Sequence, residues 1–306
     1  MKLSIVTTLY NSEKHVLEFY KRCKDDLLDK YDKYEFVFVN DGSPDNSISV
    51  VEKIANDDKN VKVVDLSRNF GHHKALLTGL NYSTGDLVFM LDVDLEEDPS
   101  IYFQYKEAMD SGDDIDHVFG SQERRKGGLI ERITGEIFYK LFNYLTFVPV
   151  EKNIITARLM TRRFVNSLIE FREQEVFIAG LATLTGYNTK HILVNKKSSS
   201  ETSYSPLLRF KLLVNGITSF SSKPLFLIFY LGIIILSGSV LSAFYILVLK
   251  LTSATVLPGW TSLIIVTLLM GGLILLCLGV VAIYLSKMFL EQKNRPYVII
   301  KKVLNE

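Results

Sequence analysis

Gly85–Pro99, GDLVFMLDVDLEEDP, begins as a short apolar run and ends in a cluster of acidic residues. The run Asp86–Leu91 follows a glycine and predicts a buried β-strand. Asp92 and Asp94 come directly after it, so both carboxylates are expected on one side of the loop at the carboxyl end of the strand. Ligands of open α/β sheets bind at that edge. Such oxygens suit Mg2+ or Mn2+, and either cation can neutralise a diphosphate.

The acidic loop also has an ordinary structural interpretation. An Asp-X-Asp pair by itself is a weak indication of metal binding, because acidic loops are common. Asp98 followed by Pro99 is typical of a helix start, with Asp as the N-cap and Pro at the first helical position. We therefore assign Asp98 to that role and keep Asp92 and Asp94 as candidate ligands.

Strand-like and helix-like segments alternate along the first two-thirds of the chain. This alternation predicts an α/β fold with a mainly parallel sheet. The expected strands are 3–9, 35–40, 61–66, 86–91, 117–120 and 154–160, and further helices are expected around 130–145, 163–171 and 175–185.

Length and charge restrict the class of protein. The 306 residues suit about two domains, and the net charge of +1 argues against a nucleic-acid-binding surface. The two cysteines, Cys23 and Cys277, fall in a predicted soluble helix and in a long apolar segment, so no disulfide is expected.

Two long apolar segments, Leu225–Leu249 and Thr261–Ser286, contain no charged residue. At about 1.5 Å per residue, each helix would exceed the roughly 30 Å hydrocarbon core. Basic residues flank the outer ends of this pair, whereas the connection Lys250–Trp260 has a single Lys. The positive-inside rule then predicts two transmembrane helices with both termini in the cytoplasm. No N-terminal signal peptide is expected.

We divide the chain into four parts on these grounds. Residues 1–197 form a cytoplasmic α/β domain, 198–223 a juxtamembrane amphipathic linker, 224–288 the two-helix transmembrane region, and 289–306 a cytoplasmic basic tail. The linker suits a helix in the plane of the lipid headgroups, and a helix packed on the soluble domain fits nearly as well.

Six short motifs then occur in an order that resembles the family 2 glycosyltransferases of GT-A (Rossmann-like) fold. The resemblance is strongest to the polyisoprenyl-phosphate branch, which includes bactoprenol glucosyltransferases and dolichol-phosphate mannose synthases, and it covers essentially the whole chain. The matching motifs are Tyr10-Asn11-Ser12-Glu13, Val39-Asn40-Asp41-Gly42-Ser43, Arg68-Asn69-Phe70-Gly71-His72, Asp92-Val93-Asp94-Leu95, Arg158-Leu159-Met160 and Gly216-Ile217-Thr218-Ser219-Phe220-Ser221.

The resemblance implies an inverting, metal-dependent hexosyltransferase of the inner (cytoplasmic) membrane. Its donor would be a nucleotide sugar, UDP-linked, and its acceptor polyprenyl (undecaprenyl) phosphate, for assembly or modification of cell-envelope glycans such as O-antigen. The hexose would be of glucose or N-acetylglucosamine type, and a homo-oligomer through the membrane region is left open. The implied nucleotide-site residues are Thr8, Tyr10, Glu13, Asp41, Arg68 and Asp92, with Asp94 and Glu96 at the metal.

This chain departs from the family at Thr8, where Pro is usual, at Glu96, where Gln is usual, and at Thr156, where the family has Asp. The last difference argues against a carboxylate base at position 156. Polyprenyl phosphate has a second pKa of about 6 and arrives mostly ionised. It therefore needs positioning cations more than a base.

Basic residues are the candidates for holding the acceptor phosphate, because Arg suits bidentate phosphate contact. The alternative is that these residues attract anionic lipid. We choose Arg132 and Arg158. The other candidates are Arg124, Arg125, Lys126, Arg162 and Arg163. His72 and His73 are interpreted as solvated loop residues, and no zinc-like spacing is present.

Two other classes of function remain as alternatives. A processive polysaccharide synthase would carry a Gln-X-X-Arg-Trp motif after this domain and more spans, but the only Trp is Trp260, preceded by Leu-Pro-Gly. A non-catalytic membrane scaffold could lose Asp92 and Asp94, yet both are present. We therefore rank the enzyme first.

Overall fold

The computed structural model describes residues 1–27, 31–112, 114–122, 140–146, 151–194, 214, 216–252 and 259–305. The chain divides into two compact units. The first comprises Met1–Lys140, Val148–Ser205 and Arg295–Glu306, and the second comprises Leu141–Phe147 and Pro206–Asn294. The predicted helix at 130–145 is described only from residue 140 onward, and most of the predicted linker 198–223 lies outside the described residues.

The first unit contains an eight-stranded sheet with the order β7-β5-β6-β4-β1-β2-β3-β8. Its strands are β1 (Lys2–Leu9), β2 (Lys33–Asn40), β3 (Val61–Leu66), β4 (Leu87–Met90), β5 (His117–Ser121), β6 (Ile154–Thr161), β7 (Thr189–Leu193) and β8 (Ile300–Leu304). The neighbours β4-β1-β2-β3 are parallel, as is the β5-β7 pair. β6 runs antiparallel to β4 and β5, and β8 runs antiparallel to β3.

The sheet is therefore mixed, and it is mainly parallel as predicted, because six of its eight strands run in one direction and β6 and β8 run in the other. The apolar pattern of a strand buried on both faces indicates burial and carries no information about direction. Direction is set by the edge of the sheet at which the chain enters. β6 enters from the edge that carries the acidic loop, so it runs opposite to β4.

Six helices of the first unit accompany the strands among the described residues. They are α1 (Glu13–Leu27), α2 (Ser47–Asp57), α3 (His72–Tyr82), α4 (Ile101–Asp110), α5 (Arg162–Ile169) and α6 (Ile178–Leu184). Side chains from α1, α2 and α4 join one face of the sheet in a hydrophobic cluster, in which Phe19, Phe36, Phe89 and Tyr105 are fully buried. On the other face α3 approaches closely, because a Cβ at Gly79 would lie 2.5 Å from Val6 Cγ1.

Helix α4 begins later than the Asp98-Pro99 pair predicts. Its first residue is Ile101 and its N-cap is Ser100. Asp98 instead accepts a hydrogen bond from the Ser100 backbone N–H at 3.0 Å and forms an ion pair with Arg22 at 2.7 Å. Asp98 thus stabilises the turn that precedes the helix, so its assignment as N-cap was wrong by two residues.

The basic tail at 289–306 includes β8, an edge strand that sequence patterning did not predict. The Ser67 N–H donates to Ile299 O at 2.9 Å. The Asn305 side-chain amide donates to Ala55 O at 2.7 Å and to Val61 O at 2.9 Å. These bonds attach the last residues of the chain to the edge formed by β3.

The second unit contains two long helices, α7 (Lys223–Thr252) and α8 (Trp260–Gln292). Among the described residues, Leu269–Gln292 is long and apolar enough to cross a membrane, with a mean hydropathy of 2.4. The described part of α7 contributes a shorter apolar stretch, Lys223–Ile235. One candidate span is therefore found where two were predicted, and the second stays a prediction.

Candidate active site

The candidate residues gather in the loops at the carboxyl ends of β1, β2, β3 and β4. Asp41 follows β2 and is 2% exposed. Its carboxylate accepts the N–H of Phe70 at 2.7 Å and the N–H of Gly71 at 3.0 Å. Gly71 has φ 104, a backbone conformation that favours glycine. Asp41 thus holds together the loops that follow β2 and β3, and it fixes the direction in which α3 starts.

His72 connects two of the predicted site residues. Its Nδ1 lies 3.1 Å from Thr8 Oγ1, and its Nε2 lies 3.4 Å from Asp92 Oδ1. His72 is exposed, as its interpretation as a solvated residue expects, but it is the first residue of α3 and contacts two predicted site residues. The sequence signal was its place directly after Gly71, at the first position of a helix that begins at the carboxyl edge of the sheet.

Tyr10, Glu13 and Arg68 line the open side of the same region. Tyr10 is 50% exposed. The carboxylate of Glu13 accepts from the Asn46 side-chain amide at 3.3 Å. The Arg68 guanidinium lies over the Phe70 ring, 4.2 Å from its centroid, and Nη1 donates to Asn69 O at 3.2 Å. These contacts orient the carboxylate of Glu13 and the guanidinium of Arg68, and the Tyr10 ring is exposed to solvent.

The acidic loop folds as a tight turn. Leu95 has φ 58, and Asp94 Oδ1 accepts the Glu96 N–H at 3.0 Å. Asp94 is exposed, while Asp92 and Glu96 are partly exposed. Among the described residues no three acidic, His or Cys side chains are grouped closely enough to hold a metal by themselves. Mg2+ typically takes one or two carboxylates and completes its shell with substrate phosphates and water. The exposed carboxylates fit that mode of binding.

Glu97 is a site residue that sequence reasoning counted only as part of the acidic cluster. It is 3% exposed. Its two carboxylate oxygens accept the Thr156 N–H at 3.1 Å and the Ala157 N–H at 2.7 Å. The acidic loop is thereby joined to the start of β6. No local pattern distinguishes this glutamate from its exposed neighbours, so only the tertiary structure reveals the role.

Arg158 lies inside β6, opposite Met90 of β4. It is 5% exposed. Burial lowers the pKa of its guanidinium to about 10, although Tyr105, Glu97 and Asp92 favour the charged form. The group is therefore protonated at neutral pH. Arg132, like Arg124, Arg125 and Lys126, lies outside the described residues.

His73 is half-buried near Arg158 and lies in α3, so it is less exposed than its interpretation as a solvated loop residue expects. Burial lowers the pKa of His73 to about 4, and the positive fields of His72 and Arg158 add to the effect. Its ring meets Phe177 edge to face, with 5.8 Å between centroids. The Nδ1 atom of this imidazole is buried and has no hydrogen-bond partner among the described residues.

This fold and this edge define a class: α/β proteins that bind a nucleotide ligand at the carboxyl ends of parallel strands. Residues 4–170 match the model of the family described as Glycosyl transferase family 2. The chain belongs to this family, and it is a glycosyltransferase.

Curated relatives match along almost the whole chain. A protein named "Putative glycosyltransferases" from Mycobacterium tuberculosis is 42% identical over 99% of this chain and 88% of its own length. The SfII prophage-derived bactoprenol glucosyl transferase of Shigella flexneri is 32% identical over 99% of this chain and 98% of its own length. The similarity thus includes the apolar C-terminal helices as well as the sheet.

Solved structures share the fold at low identity. The mannosyltransferase PcManGT from Pyrobaculum calidifontis, solved with GDP-Man and Mn2+, superimposes with a TM-score of 0.50 at 16% identity. The match covers 71% of this chain and 63% of that one. It supports the GT-A-like α/β fold with a mixed sheet.

Proposed function

We propose that the protein transfers one hexose, of glucose or N-acetylglucosamine type, from a UDP-linked sugar to polyprenyl phosphate with inversion at C1. The observation that carries this proposal is the exposed Asp92/Asp94 loop beside the buried cation Arg158 at one edge of the sheet. It is supported by relatives named bactoprenol glucosyl transferase that match 99% of the chain. The expected product is a lipid-linked sugar for the cell envelope, such as a precursor for O-antigen modification.

The donor is held by residues from three loops. The nucleotide lies against Thr8, Tyr10, Glu13, Asp41 and Arg68. Asp94 and Glu96 are the proposed ligands of Mg2+ or Mn2+, which when bound would stabilise the charge on the leaving diphosphate. Asp92 is placed by His72, which lies 3.4 Å from it. The chain's own contribution is therefore to orient the diphosphate against the acidic loop.

The acceptor supplies its own nucleophile in this proposal. A phosphate oxygen attacks C1, the bond from C1 to the β-phosphate oxygen breaks, and the nucleoside diphosphate leaves with the electron pair. Position 156 is a threonine, whose hydroxyl cannot serve as a base at neutral pH. Both oxygens of Glu97 are occupied by backbone N–H groups. Arg158, together with Arg132, is proposed to hold the acceptor phosphate.

The connectivity of the first unit supports the proposed membrane arrangement. The first unit contains both Met1–Lys140 and Arg295–Glu306, so the chain leaves this unit and returns to it. Any membrane crossings between these segments must therefore be even in number. We propose two spans in α7 and α8, with both termini on the cytoplasmic side of the inner membrane and self-association through the spans. Thiol labelling of Ser253→Cys from outside the cell tests this, and labelling only from the cytoplasm would contradict it.

Transfer itself is tested with the full chain purified in detergent. Labelled UDP-glucose or UDP-N-acetylglucosamine is incubated with undecaprenyl phosphate and Mn2+, and the lipid fraction is analysed. We expect one hexose per lipid. Polymer would favour the processive synthase, and donor binding without any lipid product would favour the scaffold.

A further inference from the structure

A cavity of about 190 Å3 lies under helix α6, on the face of β5, β6 and β7 opposite to the main hydrophobic cluster. His117, Phe119 and Arg158 line it from the sheet, and Ala182 lines it from the helix. Phe119 is paired with Arg158 across the two strands, so both side chains lie on the same face. Because a water molecule takes about 30 Å3 in the liquid, the cavity has room for a small organic group.

Two buried nitrogens that line this cavity have no hydrogen-bond partner among the described residues. They are Arg158 Nε and His117 Nε2. Arg158 is 5% exposed and His117 is 2% exposed. Buried polar atoms are nearly always paired, since an unpaired one loses its hydration without replacement. Two such atoms in one cavity indicate that a ligand with acceptor atoms completes it.

The charges of the lining residues indicate which kind of ligand the cavity binds. Arg158 is protonated at neutral pH, and no ion pair joins it to a carboxylate within the described part of the chain. Burial moves the pKa of His117 well below its usual value, so this imidazole is neutral. The ring is stacked between Phe119 and Phe164, with centroid distances of 5.4 and 4.6 Å. Glu97 and Asp92 favour the charged form of Arg158, but its Nε has no hydrogen-bond partner among the described residues. A charged donor binds an anionic group more strongly than a neutral hydroxyl.

The larger part of the lining surface is apolar and comes from Phe119, Ile154, Ala179 and Ala182. The polar part of the wall comes from the side chains of Thr183, Tyr187, Thr189 and the exposed Glu151. A ligand that suits this wall carries an anion at one end and a short hydrocarbon chain at the other. A phosphate monoester of an isoprenoid alcohol has both parts.

We propose that this cavity binds the phosphate group and the first isoprene unit of the lipid acceptor, with Arg158 Nε and His117 Nε2 as donors to the phosphate oxygens. The inference rests on the proposed function and adds His117 and the wall of α6 to it. In the reaction His117 keeps its proton, in the tautomer that carries it on Nε2. The ionised phosphate oxygen forms the bond to C1 while the bond from C1 to the donor diphosphate breaks.

The first test is His117→Phe in the full chain, with farnesyl phosphate as a soluble acceptor. A Phe side chain can stack between Phe119 and Phe164, and it has no unpaired nitrogen. The unfolding temperature of the variant should therefore equal or exceed that of the wild type. The KM for farnesyl phosphate should rise about tenfold, the effect of losing one hydrogen bond to a charged group. The KM for UDP-glucose should not change. An unchanged acceptor KM would overturn the proposal.

The second test fills the cavity and does not depend on turnover. Ala182→Leu should weaken the binding of farnesyl phosphate measured by calorimetry, whereas Leu184→Ala, at an exposed position of the same helix, should not. Farnesol serves as the probe without phosphate and should bind poorly to all variants. If Ala182→Leu lowers the affinity for UDP-glucose but not for UDP or farnesyl phosphate, the cavity holds the hexose and the proposal is wrong.

These measurements separate the inference from the proposed function. If both variants lose farnesyl phosphate binding and the wild type transfers no hexose, the cavity binds the lipid phosphate but the proposed transfer reaction is wrong. If neither variant affects transfer to undecaprenyl phosphate, the proposed function holds but the cavity does not bind the acceptor.

Discussion

At the scale of single residues, three carboxylates in one short segment have three different surroundings. Asp94 is exposed, Asp98 is paired with Arg22, and Glu97 is buried with both oxygens bound to backbone N–H groups. The two N–H groups bound by Glu97 join the acidic loop to β6, whereas Asp94 accepts the Glu96 N–H and remains exposed. Exposure of Asp94 supports the proposal that Asp94 and Glu96 are the ligands of the divalent cation.

Asp94→Asn should reduce hexosyl transfer on the order of a hundredfold or more, because an amide is a weaker ligand for a divalent cation. The fold should be unaffected, since the side chain is exposed. Transfer is measured with and without EDTA, and EDTA should reproduce the loss. Asp57→Asn, at the exposed end of α2, is the matched control. Full activity of Asp94→Asn, or activity in EDTA, would refute the metal assignment.

The ionisation of Glu35 makes the free energy of unfolding depend on pH. Burial raises its pKa, but hydrogen bonds from Lys2, Ser4 and Thr84 outweigh burial and lower the pKa from 4.5 to about 2. The stabilisation is therefore complete above pH 4.5 and is lost as pH falls toward 2. The lowered pKa of Glu35 can contribute at most about 3 kcal/mol to the free energy of unfolding.

Urea unfolding of the full chain, followed between about pH 6 and 3, checks this dependence. The free energy of unfolding should fall with pH in the wild type and fall less in Glu35→Gln, which should already be destabilised at neutral pH. Glu107→Gln, at an exposed position, is the control. Equal acid sensitivity of wild type and Glu35→Gln would contradict the role of this carboxylate.

At the scale of elements, β8 forms one edge of the sheet, next to β3. β3 would be an edge strand if the chain stopped after α8, and an exposed apolar edge can pair with another chain. β8 covers that edge and carries Lys301 and Lys302, which pair with Asp65 at 3.3 Å and Glu52 at 3.2 Å. Residues 300–304 thus belong to the same unit as β3, although the long helices α7 and α8 separate them from it in sequence.

Deleting residues 295–306 should lower the unfolding temperature of the catalytic unit and promote aggregation, because it uncovers β3 and removes both hydrogen bonds of Asn305. Thermal unfolding and light scattering of the detergent-purified chain measure the two effects. The double variant Lys301→Ala, Lys302→Ala removes only exposed ion pairs and should cost at most about 1 kcal/mol each. A truncated protein as stable as the whole would contradict the role of β8.

At the scale of the whole molecule, the proposed reaction uses a phosphate brought by the lipid as the nucleophile and needs no protein base. The catalytic unit is assembled from both ends of the chain, so a fragment ending near residue 197 would lack β8. Activity measurements therefore need the full chain.

The pH dependence of transfer tests the origin of the nucleophile. The value of kcat/KM, measured from about pH 5 to 8, should rise through one step near the acceptor's second pKa of roughly 6. Thr156→Ala should lower the rate only modestly. Arg158→Ala should lower it more, since the acceptor phosphate would lie unpaired beside the donor diphosphate. If Thr156→Ala is inactive, or if Glu96→Gln removes the step, a protein base exists.

Sequence by itself determined the strands and helices that alternate in the first two-thirds, the Asp92/Asp94 loop at a strand end, and the family. These features are local: apolar runs and acidic residues that follow them are close in sequence. The tertiary structure decided the direction of β6, the addition of β8, the burial of Arg158 and His117, and the roles of His72 and Glu97. Each of these depends on contacts between residues far apart in the chain, such as Glu97 with Thr156 and Leu304 with Val63. Long-range pairing depends on how the chain returns to the sheet, and local patterns do not encode that return.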